Sequence, residues 1–147
     1  MPAIELYADS SFLVSLYRKD RNSAAADRLM TTGTGAIGFS PLSRIELRNA
    51  LRNLTARGEI DEYDCRLAFQ QIDADLDSGL LRHITFNWTE TFRRADELSQ
   101  QHATSEGQRA IDLLHVAIAL EGRATTFLSF DRRQSRMAPA AGLIVKP

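Results

Sequence analysis

Short apolar segments alternate with longer segments of helical periodicity along this 147-residue chain, and this alternation restricts the fold more than any other feature. Apolar segments of about five residues are typical of buried strands, and the intervening segments are long enough to cross back over a sheet. In such an order successive strands run parallel, and helices cover both faces of the sheet. The sequence therefore predicts an α/β fold with a central, mostly parallel sheet of about five strands.

The same patterns place the individual elements and give no sign of a second domain. Ser40-Pro41 is typical of a helix start, with an N-cap serine followed by proline at the first helical position. No linker, repeat or low-complexity segment is visible, so we expect residues 1–147 to form one domain. Strands are predicted near residues 4–8, 36–40, 80–86, 125–129 and 143–145, and helices near residues 11–18, 22–30, 41–57, 61–77, 88–101, 109–121 and 132–138.

Charge and cysteine content set mild limits on function and location. The formal net charge of −1 counts slightly against nucleic-acid binding, which usually needs a basic surface. Of the 18 basic residues, however, only Lys19 and Lys146 are lysines, and arginine suits bidentate phosphate contacts. Cys65 is the single cysteine, and the sequence shows neither a secretion signal nor a run of about 18 apolar residues. We therefore expect a cytoplasmic protein with no membrane association.

Several familiar motifs are present only in part. Residues 33–38 match the dinucleotide-binding pattern GxGxxG, but a helical segment precedes them and a strand follows, which is the wrong order. Residues 73–79 resemble the start of a calcium loop, but the required glycine and final glutamate are missing. The three histidines, His83, His102 and His115, lack zinc-site spacing, and no GxSxG elbow is present. These patterns indicate neither a nucleotide, calcium or zinc site nor a serine hydrolase.

Three acidic residues follow predicted strands. Asp9 comes directly after the first strand, and Asp131 comes after the fourth. Glu46 lies in the helix that follows the second strand, about two turns from its start. Ligands of open parallel sheets bind in the crevice beyond the carboxyl ends of the strands. The positions of these acids therefore favour a shared site.

Asp112 is the most informative acidic residue, because its helix is apolar around nearly its whole circumference. A buried carboxylate costs several kcal/mol unless it is paired, protonated or bound to metal. Like charges at about 4 Å repel by roughly 4 kcal/mol at an effective dielectric constant of about 20. A divalent cation such as Mg²⁺ or Mn²⁺, which prefers carboxylate and water ligands, would relieve this repulsion.

Each acid also has a simpler interpretation that the sequence leaves open. Asp9 and Asp131 are suitably placed to be N-caps of the helices that follow them, and Asp112 can pair with Arg109, one turn earlier. Glu46 can form surface ion pairs with its neighbours Arg44, Arg48 and Arg52. The four acids are informative in combination rather than singly.

In combination, four segments closely resemble the PIN-domain signatures of VapC toxins. They are Asp9-Ser-Ser-Phe-Leu, Ser43-Arg-Ile-Glu46-Leu, Arg109-Ala-Ile-Asp112-Leu-Leu-His115-Val-Ala-Ile-Ala and Phe127-Leu-Ser-Phe-Asp131-Arg. The resemblance extends over nearly the whole chain and ends with the last predicted strand. It implies a PIN-like three-layer α/β/α sandwich.

The resemblance also implies a function and a set of site residues. Asp9, Glu46, Asp112 and Asp131 would form an acidic cluster that binds Mg²⁺ or Mn²⁺ and catalyses endoribonucleolytic cleavage. A cognate VapB-like antitoxin would inhibit the protein, which would be a homodimer. Ser10, Arg109, Ser129 and Arg132 are secondary candidates for contacts with phosphate or with the ligands, whereas His115 is expected to be a buried, hydrogen-bonded helix residue.

Two other functions remain as hypotheses. A non-catalytic PIN-type module would bind RNA or a protein, and its expected mark is the loss of an acidic residue, which this sequence does not show. A haloacid-dehalogenase-like phosphatase would need a second acid two residues after its nucleophilic aspartate. Here Ser11 stands at that position after Asp9, which argues against the phosphatase.

Overall fold

A computed structural model of the protein describes residues 4–32, 35–102 and 107–147. Within these ranges, five short strands form one sheet, and seven helices connect or flank them. The strands are β1 (Leu6–Ala8), β2 (Ile37–Phe39), β3 (Leu81–His83), β4 (Thr126–Leu128) and β5 (Ile144–Lys146). The helices are α1 (Ser10–Tyr17), α2 (Ser23–Thr32), α3 (Pro41–Ala56), α4 (Glu62–Ser78), α5 (Trp88–Gln101), α6 (Ala110–Glu121) and α7 (Arg132–Ala140).

The sheet is parallel throughout, with the strand order β3-β2-β1-β4-β5. Strand β1 is central, and its Tyr7 lies beside Gly38 of β2 and Phe127 of β4. The chain builds outward from β1 in one direction through β2 and β3, and then continues on the other side through β4 and β5. The crevice at the carboxyl ends of β1 and β4 is therefore the topological switch point, where open α/β sheets bind ligands.

Two apolar clusters cover the two faces of the sheet and define three layers. Helices α5, α6 and α7 pack on one face, against side chains that include Tyr7 and Phe127. Helices α1, α3 and α4 pack on the other face, against Ala8, Phe39 and Leu128. Neighbouring residues of β1 and β4 belong to opposite clusters, because successive side chains of a strand point to opposite faces.

Helix α6 is the most deeply buried helix of this arrangement, as its apolar circumference predicts. Eight successive residues, from Asp112 to Ala119, are buried. Helix α3 begins at the predicted point: Ser40 is its N-cap, Pro41 follows, and Ser43 completes a reciprocal capping box. These two helices carry three of the functional side chains discussed below.

All twelve predicted elements are present, with boundaries that differ by a few residues. The third strand is the largest difference, since residues 80–86 were predicted and only Leu81–His83 pair with β2. Residues 33 and 34 of the GxGxxG pattern lie outside the described residues. Gly38 lies within β2, where an added Cβ would be 3.0 Å from the Ile4 side chain, so close packing accounts for this glycine.

No helix among residues 4–32, 35–102 and 107–147 is both long and apolar enough to cross a membrane.

Candidate active site

The four acids reach one end of the sheet from four different elements. Asp9 directly follows β1, and Asp131 follows β4 after two residues, so both lie at the switch point. Asp112 is in the first turn of α6, and Glu46 is in the second turn of α3. The first two positions follow from strand order alone, whereas the other two depend on how α3 and α6 pack.

Asp9 is buried and is held by three hydrogen bonds. It is the N-cap of α1 and accepts the backbone N–H of Phe12 at 3.1 Å. The hydroxyls of Ser11 and Ser129 donate to its two carboxylate oxygens at 2.6 and 2.5 Å. Burial raises the pKa of the Asp9 carboxyl, and these hydrogen bonds oppose the rise because they stabilise the charged form. Asp9 is thus a fixed acid for which a bound cation would be favourable.

Ser11 and Ser129 connect the ends of β1 and β4. The Ser129 hydroxyl that donates to Asp9 also accepts the backbone N–H of Asp131 at 3.0 Å. The Ser11 hydroxyl accepts the backbone N–H of Phe130 at 3.0 Å in the same way. Two strand ends that are adjacent in the sheet are therefore joined by two side chains that also orient Asp9.

Ser11, rather than the predicted Ser10, is the serine that contacts Asp9. Helix α1 begins at Ser10, one residue earlier than predicted, and a shift of one residue turns a helical side chain by about 100°. Ser10 forms no side-chain hydrogen bond within the described part of the chain. An N-cap aspartate followed two residues later by serine was the signal in the sequence that could have identified Ser11.

Arg109 joins Asp112 to Asp131. Its guanidinium donates to both carboxylate oxygens of Asp112, at 2.8 and 3.2 Å, and lies 3.8 Å from the carboxylate of Asp131. Its hydrogen bond and charge interaction with Asp112 raise the pKa of Arg109 further above its ordinary value. The simpler interpretation of Asp112 is therefore realised here: an arginine one turn earlier compensates its charge.

Asp131 likewise has the structural role that its position allowed. One carboxylate oxygen accepts the backbone N–H groups of Arg133 and Gln134, at 2.8 and 3.2 Å, and so caps α7. The other oxygen faces Arg109. The neighbouring Arg132 is exposed, and its side chain forms no ion pair in the described ranges. One oxygen of Asp131 therefore caps α7, and the other remains directed towards Arg109.

Glu46 is paired with a histidine instead of the neighbouring arginines. Its carboxylate contacts Nε2 of His115, which is buried, as the sequence predicted. Arg48 and Arg52 stack on the ring of Phe69, at 4.5 and 5.1 Å from its centroid. In the described part of the chain, Glu46 forms no ion pair with Arg44, Arg48 or Arg52, so the interpretation of Glu46 as their surface ion-pair partner is wrong.

The donors at this edge match the chemistry of Mg²⁺ and Mn²⁺, which prefer carboxylate oxygens. Within residues 4–32, 35–102 and 107–147, however, no three His, Cys, Asp or Glu side chains are placed together as a metal-binding group. Arg109 lies between Asp112 and Asp131, and the hydroxyls of Ser11 and Ser129 donate to the carboxylate of Asp9. The residues fit such an ion by donor type, and Asp9, Asp112, Asp131 and Glu46 are the side chains that could hold it.

Comparison with known proteins identifies the fold. A family model described as the PIN domain matches residues 6–139. A search among curated proteins found no match.

Solved structures of three bacterial proteins are similar over almost the whole chain. The first is VapC20 of Mycobacterium tuberculosis, described as a sarcin–ricin loop cleaving toxin, with 18% identity, a TM-score of 0.67 and coverage of 97% of this chain and 100% of that chain. FitAcB of Neisseria gonorrhoeae has 14% identity, a TM-score of 0.68 and coverage of 97% and 96%. VapBC2 of Rickettsia felis, bound to a DNA fragment from its promoter, has 18% identity, a TM-score of 0.64 and coverage of 97% and 98%.

Identities this low establish a shared fold and no more, but the fold agrees with the family match. The parallel five-stranded sheet between two helical layers confirms the predicted PIN-like sandwich. Because the PIN-domain model also matches most of the sequence, the chain belongs to the PIN-domain family.

Proposed function

We propose that this protein is a Mg²⁺- or Mn²⁺-dependent endoribonuclease and the toxin of a VapC-type toxin–antitoxin pair. The observation that carries the proposal is the connected acidic edge: Ser129 links Asp9 to Asp131, and Arg109 links Asp131 to Asp112. Acids from separate elements are thus tied together at the switch point of the sheet.

A bound divalent ion would supply a water of lowered pKa and would stabilise charge on the phosphate. The part played by the chain is to hold and orient oxygen ligands. Asp9 and Asp112 are the principal candidates, because both are buried and fixed by hydrogen bonds. Asp131 and Glu46 are partly exposed and would complete the set directly or through water.

Arg109 has a second role in this proposal. Its side chain is 63% exposed although its guanidinium binds Asp112. Once a cation neutralises the charge of the acids, Arg109 could therefore bind a phosphate of the RNA. Arg132 is exposed beside Asp131 and is a further candidate for contact with the RNA backbone. Ser129 would hold Asp9 in place throughout the reaction.

RNA as substrate, an antitoxin as partner and a homodimer as the assembly are also part of this proposal. Support for RNA as substrate comes from VapC20, which is described as a sarcin–ricin loop cleaving toxin. Support for an antitoxin partner comes from the VapBC structures among the similar ones, which include VapBC-1 of nontypeable Haemophilus influenzae, with 12% identity and a TM-score of 0.65. The homodimer rests on the family resemblance of the sequence.

RNA cleavage by the purified chain tests the proposal. The protein is incubated with total bacterial RNA in EDTA, in Mg²⁺ and in Mn²⁺, and the products are separated on a denaturing gel. We expect cleavage only with metal, and we expect Asp9→Asn and Asp112→Asn each to reduce the rate by at least about 100-fold, since partners outside the ligand set already cost 10- to 100-fold.

Asp61→Asn is the matched control. Asp61 is an exposed N-cap aspartate at the start of α4, outside the acidic edge, and accepts the backbone N–H of Asp64 at 2.7 Å. This variant should cleave RNA like the wild type. Cleavage that persists in EDTA, or equal rates for the wild type and Asp9→Asn, would show that the proposal is wrong. Absence of cleavage with either metal would favour a non-catalytic PIN module.

A further inference from the structure

A buried chain of hydrogen bonds leads from the β-sheet to Glu46, and the proposed reaction does not use it directly. His115 contacts the Glu46 carboxylate through Nε2, and its Nδ1 lies 2.7 Å from the hydroxyl of Tyr7. Both His115 and Tyr7 are 1% exposed. The Tyr7 hydroxyl in turn lies 3.2 Å from that of Ser40 and 3.3 Å from that of Ser43.

The direction of these hydrogen bonds follows from the donors available. The Ser40 and Ser43 hydroxyl oxygens each accept a backbone N–H in the capping box of α3. The two hydroxyls also lie 3.0 Å from each other, so one proton can be used between them and at least one remains free to donate to Tyr7. Burial raises the pKa of Tyr7 well above its ordinary value, so its hydroxyl keeps its proton. Tyr7 then donates to Nδ1 of His115, and the Nε2–H of His115 donates to Glu46.

We propose that His115 is a positioning residue for Glu46, and that Tyr7 fixes the ring and the tautomer of His115 for this purpose. A histidine at a metal centre commonly relies on such a partner for its own orientation. Here the histidine orients an acid. The inference rests on the proposed function, in which Glu46 completes the ligand set, and goes beyond it by assigning roles to two residues of the hydrophobic core.

The surroundings argue against a purely structural role for these polar groups. Tyr7 lies in an apolar cluster that includes Val116, Ile118 and Phe127, and the buried ring of His115 lies 5.7 Å from the Tyr7 ring. Buried polar networks are often no more stable than well-packed apolar side chains of the same volume. This network ends at a carboxylate whose side chain is 25% exposed, at the acidic edge. A connection from the core to a solvent-facing acid is of use where the orientation of that acid matters.

Binding of Mn²⁺ to the metal-stripped protein, without RNA, measures the effect. The dissociation constant is obtained by calorimetry for the wild type, His115→Leu, His115→Gln and Tyr7→Phe. We expect His115→Leu to weaken binding roughly tenfold, as loss of an orienting partner usually does. Tyr7→Phe removes one oxygen atom and should weaken binding by a smaller factor of the same sign.

His115→Gln provides the rescue that a structural role would not give. Its amide can donate to Glu46 in place of Nε2–H and needs no tautomer, so binding should recover towards that of the wild type. For the same reason, adding Tyr7→Phe to His115→Gln should have little further effect, and this non-additivity shows that Tyr7 acts through His115. Thermal unfolding of each variant verifies that it is folded.

Tyr17→Phe is the matched control, because Tyr17 is also largely buried and its hydroxyl donates to an acid, Asp75 of α4, at 2.6 Å. This variant should bind Mn²⁺ like the wild type. Equal affinities for Tyr7→Phe, Tyr17→Phe and the wild type would overturn the inference and leave the proposed function intact. Absence of Mn²⁺ binding by the wild type would instead overturn the proposed function, and the role of His115 with it.

Nitrogen NMR of the histidine rings tests the same inference in the unsubstituted protein. The Tyr7 hydroxyl should leave Nδ1 of His115 without a proton, so that the spectrum shows the Nε2–H tautomer. A proton on Nδ1 alone would place a lone pair against Glu46 and would contradict the inference, whatever the stability of the variants.

Discussion

Asp9 and Glu46 lie at the same edge of the sheet but are held in different ways. Asp9 is a helix N-cap, so the backbone itself fixes its position, and two serine hydroxyls complete its contacts. Glu46 lies inside α3, and within the described residues its carboxylate hydrogen-bonds only to His115, which belongs to another helix. Under the proposed function, Asp9 would serve stability and metal binding together, whereas Glu46 would serve metal binding with little effect on stability.

The difference between these two acids also explains why one of them is harder to interpret from sequence. An N-cap lies next to the element that it caps, so its role is visible locally. The support of Glu46 comes from His115, 69 positions away in the chain. Contacts of this kind appear only when the helices are packed.

The largest difference between the two acids should appear in Glu46→Gln. We expect RNA cleavage to fall roughly 10- to 100-fold, because the amide is a weaker ligand for a divalent ion. The free energy of unfolding should change by no more than about 0.5 kcal/mol, because the amide oxygen of glutamine can still accept the Nε2–H of His115. Cleavage assays and urea unfolding measure the two effects on one sample.

If Glu46→Gln lost more stability than the removal of a helix cap costs, the assignment of Glu46 to function alone would be contradicted. Asp9→Asn is measured alongside it, because asparagine caps helices about as well as aspartate, so this variant changes the proposed ligand and keeps the cap.

Asp131 tests the behaviour expected of an acid that is fixed by the backbone, since it is both a helix cap and a proposed ligand. Asp131→Ala should lower the free energy of unfolding by about 1 kcal/mol, because the N–H groups of Arg133 and Gln134 lose their acceptor. Asp131→Asn should keep that stability and still cleave RNA more slowly. Equal unfolding free energies for the two variants would show that the cap contributes nothing measurable.

The smallest effect we expect is a pH dependence that originates at Asp9. Burial raises the pKa of Asp9 in the folded protein, so the folded state holds its proton to a higher pH than the unfolded state. The free energy of unfolding therefore falls as the pH rises from the ordinary aspartate pKa of 3.8 through the raised folded value. Asp9→Asn removes this contribution.

Urea unfolding in EDTA, from pH 4 to pH 7, measures this contribution of Asp9 to the free energy of unfolding. The stability of Asp9→Asn relative to the wild type should increase with pH, because only the wild type loses stability as Asp9 ionises in the folded state. A difference that is constant across this range, or that shifts in favour of the wild type, would mean that burial does not control the pKa of Asp9.

The sequence alone predicted the elements, the parallel sheet and the position of the acids at its carboxyl edge. These depend on short-range patterns, such as the apolar segment before Asp9 and the Ser40-Pro41 helix start. The compensation of Asp112 by Arg109 was visible as an alternative, since the two are three residues apart.

Three contacts were not predicted from the sequence, one because of a local error and two because they depend on tertiary packing. Ser11 was missed because a one-residue error in a helix start changes which side chain faces the cap. The pairing of Glu46 with His115 depends on how α3 packs against α6. The link from His115 to Tyr7 crosses from a helix to the sheet. Tertiary packing decides contacts of this kind, and local patterns do not encode it.

The central claim is that Asp9 and Asp112 share one divalent cation. Anomalous diffraction from crystals of the protein soaked in Mn²⁺ tests this most directly. The account predicts a peak about 2.1 Å from carboxylate oxygens of both residues, the distance typical of a small divalent ion, with Arg109 moved away from Asp112. A peak elsewhere, a peak that touches only one of the two acids, or no peak at saturating Mn²⁺ would contradict the account.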